Sequence, residues 1–301
     1  MLKILSILLL LASFLGLTSP LLTPLFTESV PKLAWLLDLA SHWQWLYGLL
    51  LVLSILFLAS QQKWWLLALI TLALPLVTAS PVLSSTTTHT HTFKILSSNV
   101  YLDNPDLNRL KILIDQEQPD VIVLLEFSPQ HLAPVKTWTA YPHQILQARS
   151  GAFGMAILSR FALSETQIIT DSLGIEHIRT QVQASQPFQL VGFHPLPPVS
   201  EQAYRVRDQL LQDLTKPPHQ QPRIIAGDFN ATPWSSAFQG LAKRGYYRSV
   251  SLLPTWPTKL RGIIGIPIDQ VLASSHWQLL TTRIGSNIGS DHYPIIVELS
   301  L

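Results

Sequence analysis

Residues 223–233 read RIIAGDFNATP, and this stretch decides the fold of the second part of the chain. Its apolar residues, followed by a glycine that lets another backbone approach closely, predict a strand. Because side chains alternate along an extended backbone, Asp228 and Asn230 share one face while Phe229 points into the core. Taken alone, GDFN also fits an Asx-rich turn, so the rest of the chain decides between the two interpretations.

Four other segments place polar residues where an apolar, β-rich run meets a loop, in nearly every case at the end of the run. They are Asn99 in LSSNV, Glu126 in DVIVLLEFS, His194 in LVGFHPLPP, and Asp291 with His292 in GSDHYPIIVEL. An α/β protein places its chemistry at such strand ends, because the scaffold is rigid and the loop is open to solvent. Carboxylates, amides and imidazoles gathered there predict a site for a hard divalent cation and a phosphate. The sequence therefore predicts an enzyme.

The composition divides the chain into an apolar first part and an ordinary second part. Of the 301 residues only 13% are charged and 48% are hydrophobic, with a mean hydropathy of +0.28. Residues 1–81 contain only three basic and two acidic side chains: Lys3, Lys32, Lys63, Glu28 and Asp38. The remainder is nearly balanced in charge, so the net charge of +2 neither favours nor excludes a nucleic-acid partner. The absence of cysteine excludes disulfides and thiolate metal sites.

The first 83 residues predict a membrane anchor with about three transmembrane helices. The candidate spans are Leu2–Leu17, Trp43–Ala59, and Trp64–Val77 extended to Leu83, against about 20 apolar residues for a full span. The first could instead be a signal peptide, but it lacks a small-x-small cleavage site and further apolar segments follow. A buried helical hairpin in a soluble protein is the other alternative. Residues 27–42 are mixed in polarity and are expected on the membrane surface.

Charged residues near the spans predict the orientation of the anchor. Lys3 precedes the first span and Lys63 lies between the second and third. The positive-inside tendency places both in the cytoplasm, and three spans then place the chain after Leu83 outside the cytoplasmic membrane. Residues 84–92, SSTTTHTHT, are predicted to form a flexible linker, in which His89 and His91 are expected to be solvated rather than metal ligands.

From Phe93 to Leu301 the pattern alternates between strands and a few helices. Two packed sheets with helices outside, an α/β sandwich, account for this order. The predicted strands are FKILSSNVY, DVIVLLE, GMAILSR, residues 178–183, FQLVGFH, RIIAGDF, IDQVLAS and YPIIVEL, and the predicted helices span residues 104–118 and 200–215.

The motifs NV, LLE, GMAILSR, GFH, GDFN, IDQVL and SDHYP, in this order, resemble the endonuclease/exonuclease/phosphatase (DNase I-like) superfamily. The resemblance covers residues 93–301 and implies a four-layer α/β sandwich, a divalent metal and hydrolysis of a phosphoester. It implies Mg²⁺, with Mn²⁺ as the alternative, held principally by Glu126, with Asn99 beside it and Asp291 as a direct or outer ligand.

The same resemblance assigns catalytic roles. Asp228 would position or deprotonate the attacking water, and Asn230 would hydrogen-bond the scissile phosphate. His292 with Asp269 resembles a catalytic pair, since a carboxylate fixes the imidazole tautomer; whether His292 or Asp228 is the base stays open. His194 would be the general acid on the leaving oxygen, as in DNase I-like and sphingomyelinase-like members and unlike apurinic endonucleases. A structural histidine is the alternative.

The substrate is left open between two classes. A basic stretch could line the cleft and bind anionic groups, or could be a solvated face; it comprises Lys243, Arg244, Arg248, Lys259 and Arg261. We expect a phosphodiesterase partnered by the lipid bilayer and acting on nucleic acid, with a phospholipid head group or another small phosphoester as the alternative. A catalytically silent, membrane-tethered binding module is the competing class. No protein partner is indicated.

Overall fold

Two six-stranded sheets lie face to face in the second part of the chain. The structure is a computed structural model that describes residues 2–58, 73–85, 92–217, 221–259 and 264–301. The first sheet has the order β11-β12-β1-β2-β4-β3, with β1 Thr92–Asn99, β2 Val121–Leu125, β3 His143–Gln147, β4 Met155–Ser159, β11 Gln278–Ile284 and β12 Ile295–Ser300. The second has the order β5-β6-β7-β8-β10-β9, with β5 Leu163–Thr170, β6 Glu176–Val182, β7 Phe188–Gly192, β8 Arg223–Asp228, β9 Tyr246–Arg248 and β10 Asp269–Ser274.

Alternation along the central strands builds the core on both sides of each sheet. Ile95, Val123 and Ile224 are fully buried between the sheets, whereas Ile122 and Ile225 face outward into two separate clusters. Helix α5 (Asn108–Glu117) covers the first cluster and α7 (Glu201–Leu214) the second. The order helix, sheet, sheet, helix confirms the predicted four-layer α/β sandwich.

A side-chain hydrogen bond lies at the start of each helix. Ser200 caps α7, because its hydroxyl accepts a hydrogen bond from the Ala203 N–H. This agrees with the predicted start of the helix at residue 200. Helix α5 begins at Asn108 and not at the predicted Asn104. Pro105 lacks an N–H, and the Asp106 carboxylate accepts from the Asn108 N–H at 2.7 Å, which starts the helix four residues later.

The sequence did not reveal four strands and one short helix, α6 (Leu132–Lys136). The unpredicted strands are β3, β5, β9 and β11. Each lies at an edge of its sheet, and β5 and β11 are largely solvent-exposed. Edge strands need no continuous apolar run, because only one face and one backbone edge are covered.

The N-terminal part contains helices α1 (Leu2–Phe26), α2 (Pro31–Ser41), α3 (Gln44–Leu58) and α4 (Leu74–Thr78). Helix α1 continues past the predicted end at Leu17. The hydroxyls of Thr18, Ser19 and Thr23 bond back to carbonyls three or four residues earlier, which satisfies them inside an apolar helix.

Among the described residues, Ile4–Phe26 is the one helix long and apolar enough to cross a membrane, with a mean hydropathy of 2.2. The pair Pro31–Ser41 and Gln44–Leu56, bent by 75°, adds a second if it counts as one span. An N-terminal apolar helix of this kind fits a membrane anchor or a signal sequence. Lys63 and most of the predicted third span lie outside the described residues, so the multi-pass anchor and its orientation stay predictions.

The N-terminal part also contacts the sandwich. The backbone of residues 80–85 pairs with it. The Leu83 N–H donates to the Arg248 carbonyl at 2.8 Å, and the Ser84 carbonyl accepts from the Leu279 N–H at 2.8 Å. The predicted linker therefore begins within a paired segment, and residues 86–91, with His89 and His91, lie outside the described residues. Helix α2, expected on a membrane surface, lies against α7 through the buried side chain of Asp38.

Candidate active site

One edge of the sandwich brings together all eight predicted site residues. Strands β1 and β2 run parallel, as do β7 and β8, so their carboxyl ends share this edge. These ends carry Asn99, Glu126, His194, Asp228 and Asn230. Strands β10 and β12 run antiparallel to β8 and β1 and therefore begin at the same edge, where they bring Asp269, Asp291 and His292.

The backbone at this edge adopts conformations that ordinary residues seldom take. Glu126 has φ of +55° and Asn230 of +47°, both in the left-handed region. A Cβ on Gly227, where φ is +153°, would lie 2.0 Å from the Phe193 carbonyl oxygen. The glycine is thus required by the close approach of β8 to the end of β7, and the two turned residues aim their side chains into the cleft.

His292 and Asp269 form the expected imidazole–carboxylate pair. The Nδ1 atom of His292 lies 2.9 Å from the Asp269 carboxylate, and both side chains are buried. Burial alone would lower the pKa of His292, but the charges of Asp269 and Asp228 outweigh it and raise the pKa to about 10. The imidazole is therefore a cation at neutral pH in the protein without metal or substrate.

Asp228 lies between the two histidines of the site. One of its carboxylate oxygens is 3.7 Å from His292 Nε2 and 3.6 Å from His194 Nε2. Burial raises the pKa of Asp228 to about 7, with the nearby His292 charge opposing the shift. The amide of Asn99 donates to the same oxygen at 3.3 Å and to Glu126 at 3.0 Å. Asp228 is therefore positioned to exchange a proton near neutral pH.

His194 is neutral in this arrangement. Burial, aided by the charges of His292 and His177, lowers the pKa of His194 to about 3. Its ring packs against Phe153 at 5.3 Å, and its Nδ1 has no hydrogen-bond partner among the described residues. The general acid implied by the resemblance needs a protonated ring. An anionic phosphate beside the ring would favour that form.

Three carboxylates at the site fit a divalent cation. Glu126, Asp228 and Asp291 line one cavity, and no described residue lining it is a lysine or arginine. One oxygen of Asp291 accepts from the Trp256 indole at 3.0 Å, while the other is buried without a partner. Glu126 accepts from the Leu102 N–H and from Asn99. The Asn99 amide oxygen accepts from the Tyr101 N–H at 3.0 Å instead of facing these carboxylates. Such a sparse set of carboxylate oxygens suits Mg²⁺, which keeps several waters.

A second group of ligand atoms lies beside these residues. Asp228, Asp269 and His292 place one atom each within 4.8 Å of one another. Because Asp269 and His292 already satisfy each other by a hydrogen bond, this trio is less suited to a metal than the carboxylates of Glu126 and Asp291, and the predicted ligand set of Asn99, Glu126 and Asp291 stays a prediction.

The basic stretch does not line the cavity as a unit. Arg248 is buried and donates to the carbonyls of Ser80 and Val250, and Arg244 donates to Thr215. Both therefore hold the fold together at a distance from the carboxylates. Lys259 lies in a shallower depression beside Asp291, and Arg261 falls outside the described residues.

Several residues of the site were not identified from the sequence. Phe153 and Trp256 line the cavity, and the only sequence signal was the Thr255-Trp256-Pro257 motif. The opposite wall comes from the N-terminal part, with Trp35, Leu39, His42 and Trp43. Asp38, a single acid within an apolar helix, was the available signal, because such a charge needs a buried partner.

Residues 96–292, more than half of the chain, match the Endonuclease/Exonuclease/phosphatase family. The chain belongs to this family. Its members are generally phosphoester hydrolases that depend on a divalent metal, so the resemblance drawn from the motifs is confirmed. A search of curated proteins found no significant match.

Solved structures share the fold at low sequence identity. TDP2 from D. rerio, complexed with a single-strand DNA product, has a TM-score of 0.58 at 19% identity, over 70% of this chain and 99% of that one. An endonuclease/exonuclease/phosphatase from Beutenbergia cavernae has 0.59 at 17%, over 70% and 72%. The 3′ phosphatase NExo from Neisseria, bound to a product DNA hairpin, has 0.55 at 18%, over 69% and 100%. These likenesses establish the fold and leave the substrate open.

Proposed function

We propose that this protein is a membrane-anchored, metal-dependent phosphoesterase that hydrolyses a phosphodiester by attack of water. The observation that carries the proposal is the His292–Asp269 pair, 2.9 Å apart. It lies beside Asp228 in a cavity that also holds Glu126 and Asp291. A binding module would not need a buried imidazole paired with one carboxylate and in reach of another, which argues against the silent alternative.

The bound metal would supply charge neutralisation on the phosphate oxygens. Asp228, with its pKa raised to about 7, suits the base that takes a proton from the attacking water. The His292 imidazolium, held by Asp269, faces the phosphate and stabilises its growing negative charge. Asn230 lines the cavity, and we assign its amide to a phosphate oxygen.

The reaction balances with water as the sole co-reactant. The water oxygen forms a bond to phosphorus, and the bond between phosphorus and the leaving oxygen breaks. One water proton passes to Asp228. The leaving oxygen takes a proton from His194, whose ring is protonated from solvent once the phosphate charge favours that form, or else takes it directly from solvent. The products are a phosphomonoester and an alcohol.

We also propose that the anchor remains in the mature protein. Pro20 of α1 accepts a hydrogen bond from Gln239 of the sandwich at 3.0 Å, and the Gly16 carbonyl accepts from buried Gln44 at 2.9 Å. A cleaved signal sequence would forfeit these contacts. With Lys3 and Lys63 on the cytoplasmic side, a multi-pass anchor would place the catalytic domain outside the cytoplasmic membrane.

The test uses the full chain, purified in detergent, with bis(p-nitrophenyl) phosphate as substrate. We expect nitrophenolate release with Mg²⁺ or Mn²⁺, and none after EDTA treatment. Glu126→Gln should raise the metal concentration needed for half-maximal rate, because the ligand loses its charge. Hydrolysis that persists in EDTA, or a metal requirement unchanged in Glu126→Gln, would contradict the assignment.

A further inference from the structure

The candidate catalytic cavity has two walls of different origin. One wall carries the catalytic residues of the sandwich, including Asp228 and His292. The other consists of Trp35, Leu39 and Trp43, which belong to α2 and the turn after it. The cavity has a volume of about 490 Å³, within the usual range for small-molecule sites. The N-terminal anchor is therefore part of the cavity.

The wall from α2 is held in place by specific bonds. The Trp35 indole N–H donates to the Pro198 carbonyl at 2.8 Å. His42 lies 3.1 Å from the Thr232 hydroxyl, and buried Asp38 accepts from Arg207 at 2.8 Å. Three contacts along one short helix fix its side chains relative to the sandwich, so the apolar wall is preorganised.

The chemistry of the wall is apolar, and its surroundings repel a polyanion. Pro197, Pro198 and Val199 continue the surface formed by Trp35 and Leu39. None of the described lining residues is a lysine or arginine, whereas three are carboxylates. A polynucleotide would bring further phosphates beside the scissile one, and such phosphates require neighbouring lysine or arginine. One phosphate next to an apolar group matches the cavity better.

We propose that α2 forms the specificity-determining half of the substrate site, and that Trp35, Leu39 and Trp43 bind the apolar part of a membrane-lipid phosphodiester. This inference rests on the proposed phosphoesterase function and adds the substrate class to it. The phosphate lies at Asp228 and His292, and the apolar substituent lies along the α2 wall.

The position of α2 supports a lipid as the source of the substrate. The chain enters it from α1, the helix able to cross a membrane, and leaves into apolar α3. Leu33 of α2 is exposed, and Val199 at the cavity leaves 76% of its surface uncovered. Apolar groups exposed around a cavity next to a membrane helix suit contact with the bilayer interface.

The experiment compares two substrates that differ only in their apolar substituent: p-nitrophenyl methyl phosphate and p-nitrophenyl hexadecyl phosphate. Both are given to the full chain in one mixed-micelle composition with Mg²⁺, so that partitioning is the same for every variant. We expect kcat/KM for the hexadecyl ester to exceed that for the methyl ester by about tenfold or more, because burying even two methylene groups gives such a factor.

Variants of the wall test where this preference arises. Leu39→Ser and Val199→Ser should lower the hexadecyl-to-methyl ratio of kcat/KM toward one, chiefly through KM for the hexadecyl ester. Because Val199 is largely exposed, its substitution should not disturb the folding of the protein. Leu36→Ser is the matched control, since Leu36 is exposed on α2 and lies outside the cavity lining; it should keep the wild-type ratio.

Two results would overturn the inference while leaving the phosphoesterase function intact. One is a wild-type ratio near one together with faster cleavage of a single-stranded oligonucleotide. The other is an unchanged ratio in both wall variants. Failure of the wild-type protein to hydrolyse either ester or bis(p-nitrophenyl) phosphate would instead reject the proposed function itself.

Discussion

At the residue scale, the charge state of the His292 imidazole distinguishes its two candidate roles, as the base or as the group that stabilises negative charge on the phosphate. His292 has a pKa raised from 6.5 to about 10 by its two carboxylate neighbours against the effect of burial. A raised pKa in the folded state means that the pairing stabilises the protein fully below pH 6.5. That contribution is then lost as the pH rises through about 10.

We therefore predict that the His292 ring, followed by NMR in EDTA-treated protein, remains protonated well above neutral pH. Asp269→Asn removes the partner charge, so the ring should lose its proton at a clearly lower pH. Equal titration of His292 in both proteins would show that Asp269 does not govern its charge.

Removal of the groups that handle the proton should slow turnover far more than it disturbs the fold. His292→Ala and Asp228→Ala are each expected to lower kcat by about 10²–10⁴-fold, the usual contribution of a general base or its partner. The measurement is steady-state hydrolysis of bis(p-nitrophenyl) phosphate, with thermal unfolding as the check on folding. His143→Ala is the control and should retain wild-type turnover. Wild-type rates in both site variants would refute their roles.

At the scale of elements, a buried polar cluster joins α2 to the sandwich. Asp38 accepts from Arg207 of α7 and from Ser235 and Ser236. Arg207 in turn donates to the backbone carbonyl of Asn230 at 2.9 Å. The anchor is thereby connected to a residue of the candidate site through a single guanidinium group.

Asp38→Ala should therefore weaken both stability and catalysis. Loss of one partner from a buried ion pair costs about 3–5 kcal/mol, and we expect the lower end because Asp208 still accepts from Arg207. Displacement of Asn230 should reduce kcat by about tenfold to a hundredfold. Thermal unfolding and steady-state kinetics in detergent measure the two effects. Glu28→Ala, which removes an exposed acid of the N-terminal part, is the control, and equal behaviour of both variants would refute the coupling.

At the scale of the whole molecule, the side of the membrane determines which substrates are accessible. With Lys3 and Lys63 in the cytoplasm, protease added outside the cytoplasmic membrane should digest the catalytic domain. A reporter active only in the cytoplasm, fused after Leu301, should be silent. Replacing Lys3 and Lys63 with acidic residues tests whether their positive charge sets this orientation. A protected domain with an active reporter would indicate an even number of spans and a cytoplasmic substrate.

Much of the fold was determined by the sequence alone. Central strands such as β2 and β8 are buried on both faces, so their residues form continuous apolar runs that identify them without tertiary information. The same runs end in Glu126 and Asp228, and strand direction then brings such residues to one edge. Local patterning therefore sufficed for the layers, because burial and alternation are properties of neighbouring positions. The roles of the site residues, and Asp269 above all, came from the family resemblance and stay predictions.

Only the tertiary structure decided the second wall of the site. Asp38 and Arg207 are 169 residues apart, and Trp35 meets Pro198 across 163. The sequence pattern of either segment does not predict its contact with the other, because these contacts depend on how the anchor folds back onto the sandwich. The charge of His292 is decided in the same way, since it depends on two carboxylates from different strands. Sequence specified the chemistry available, and packing of distant elements specified which groups act on one another.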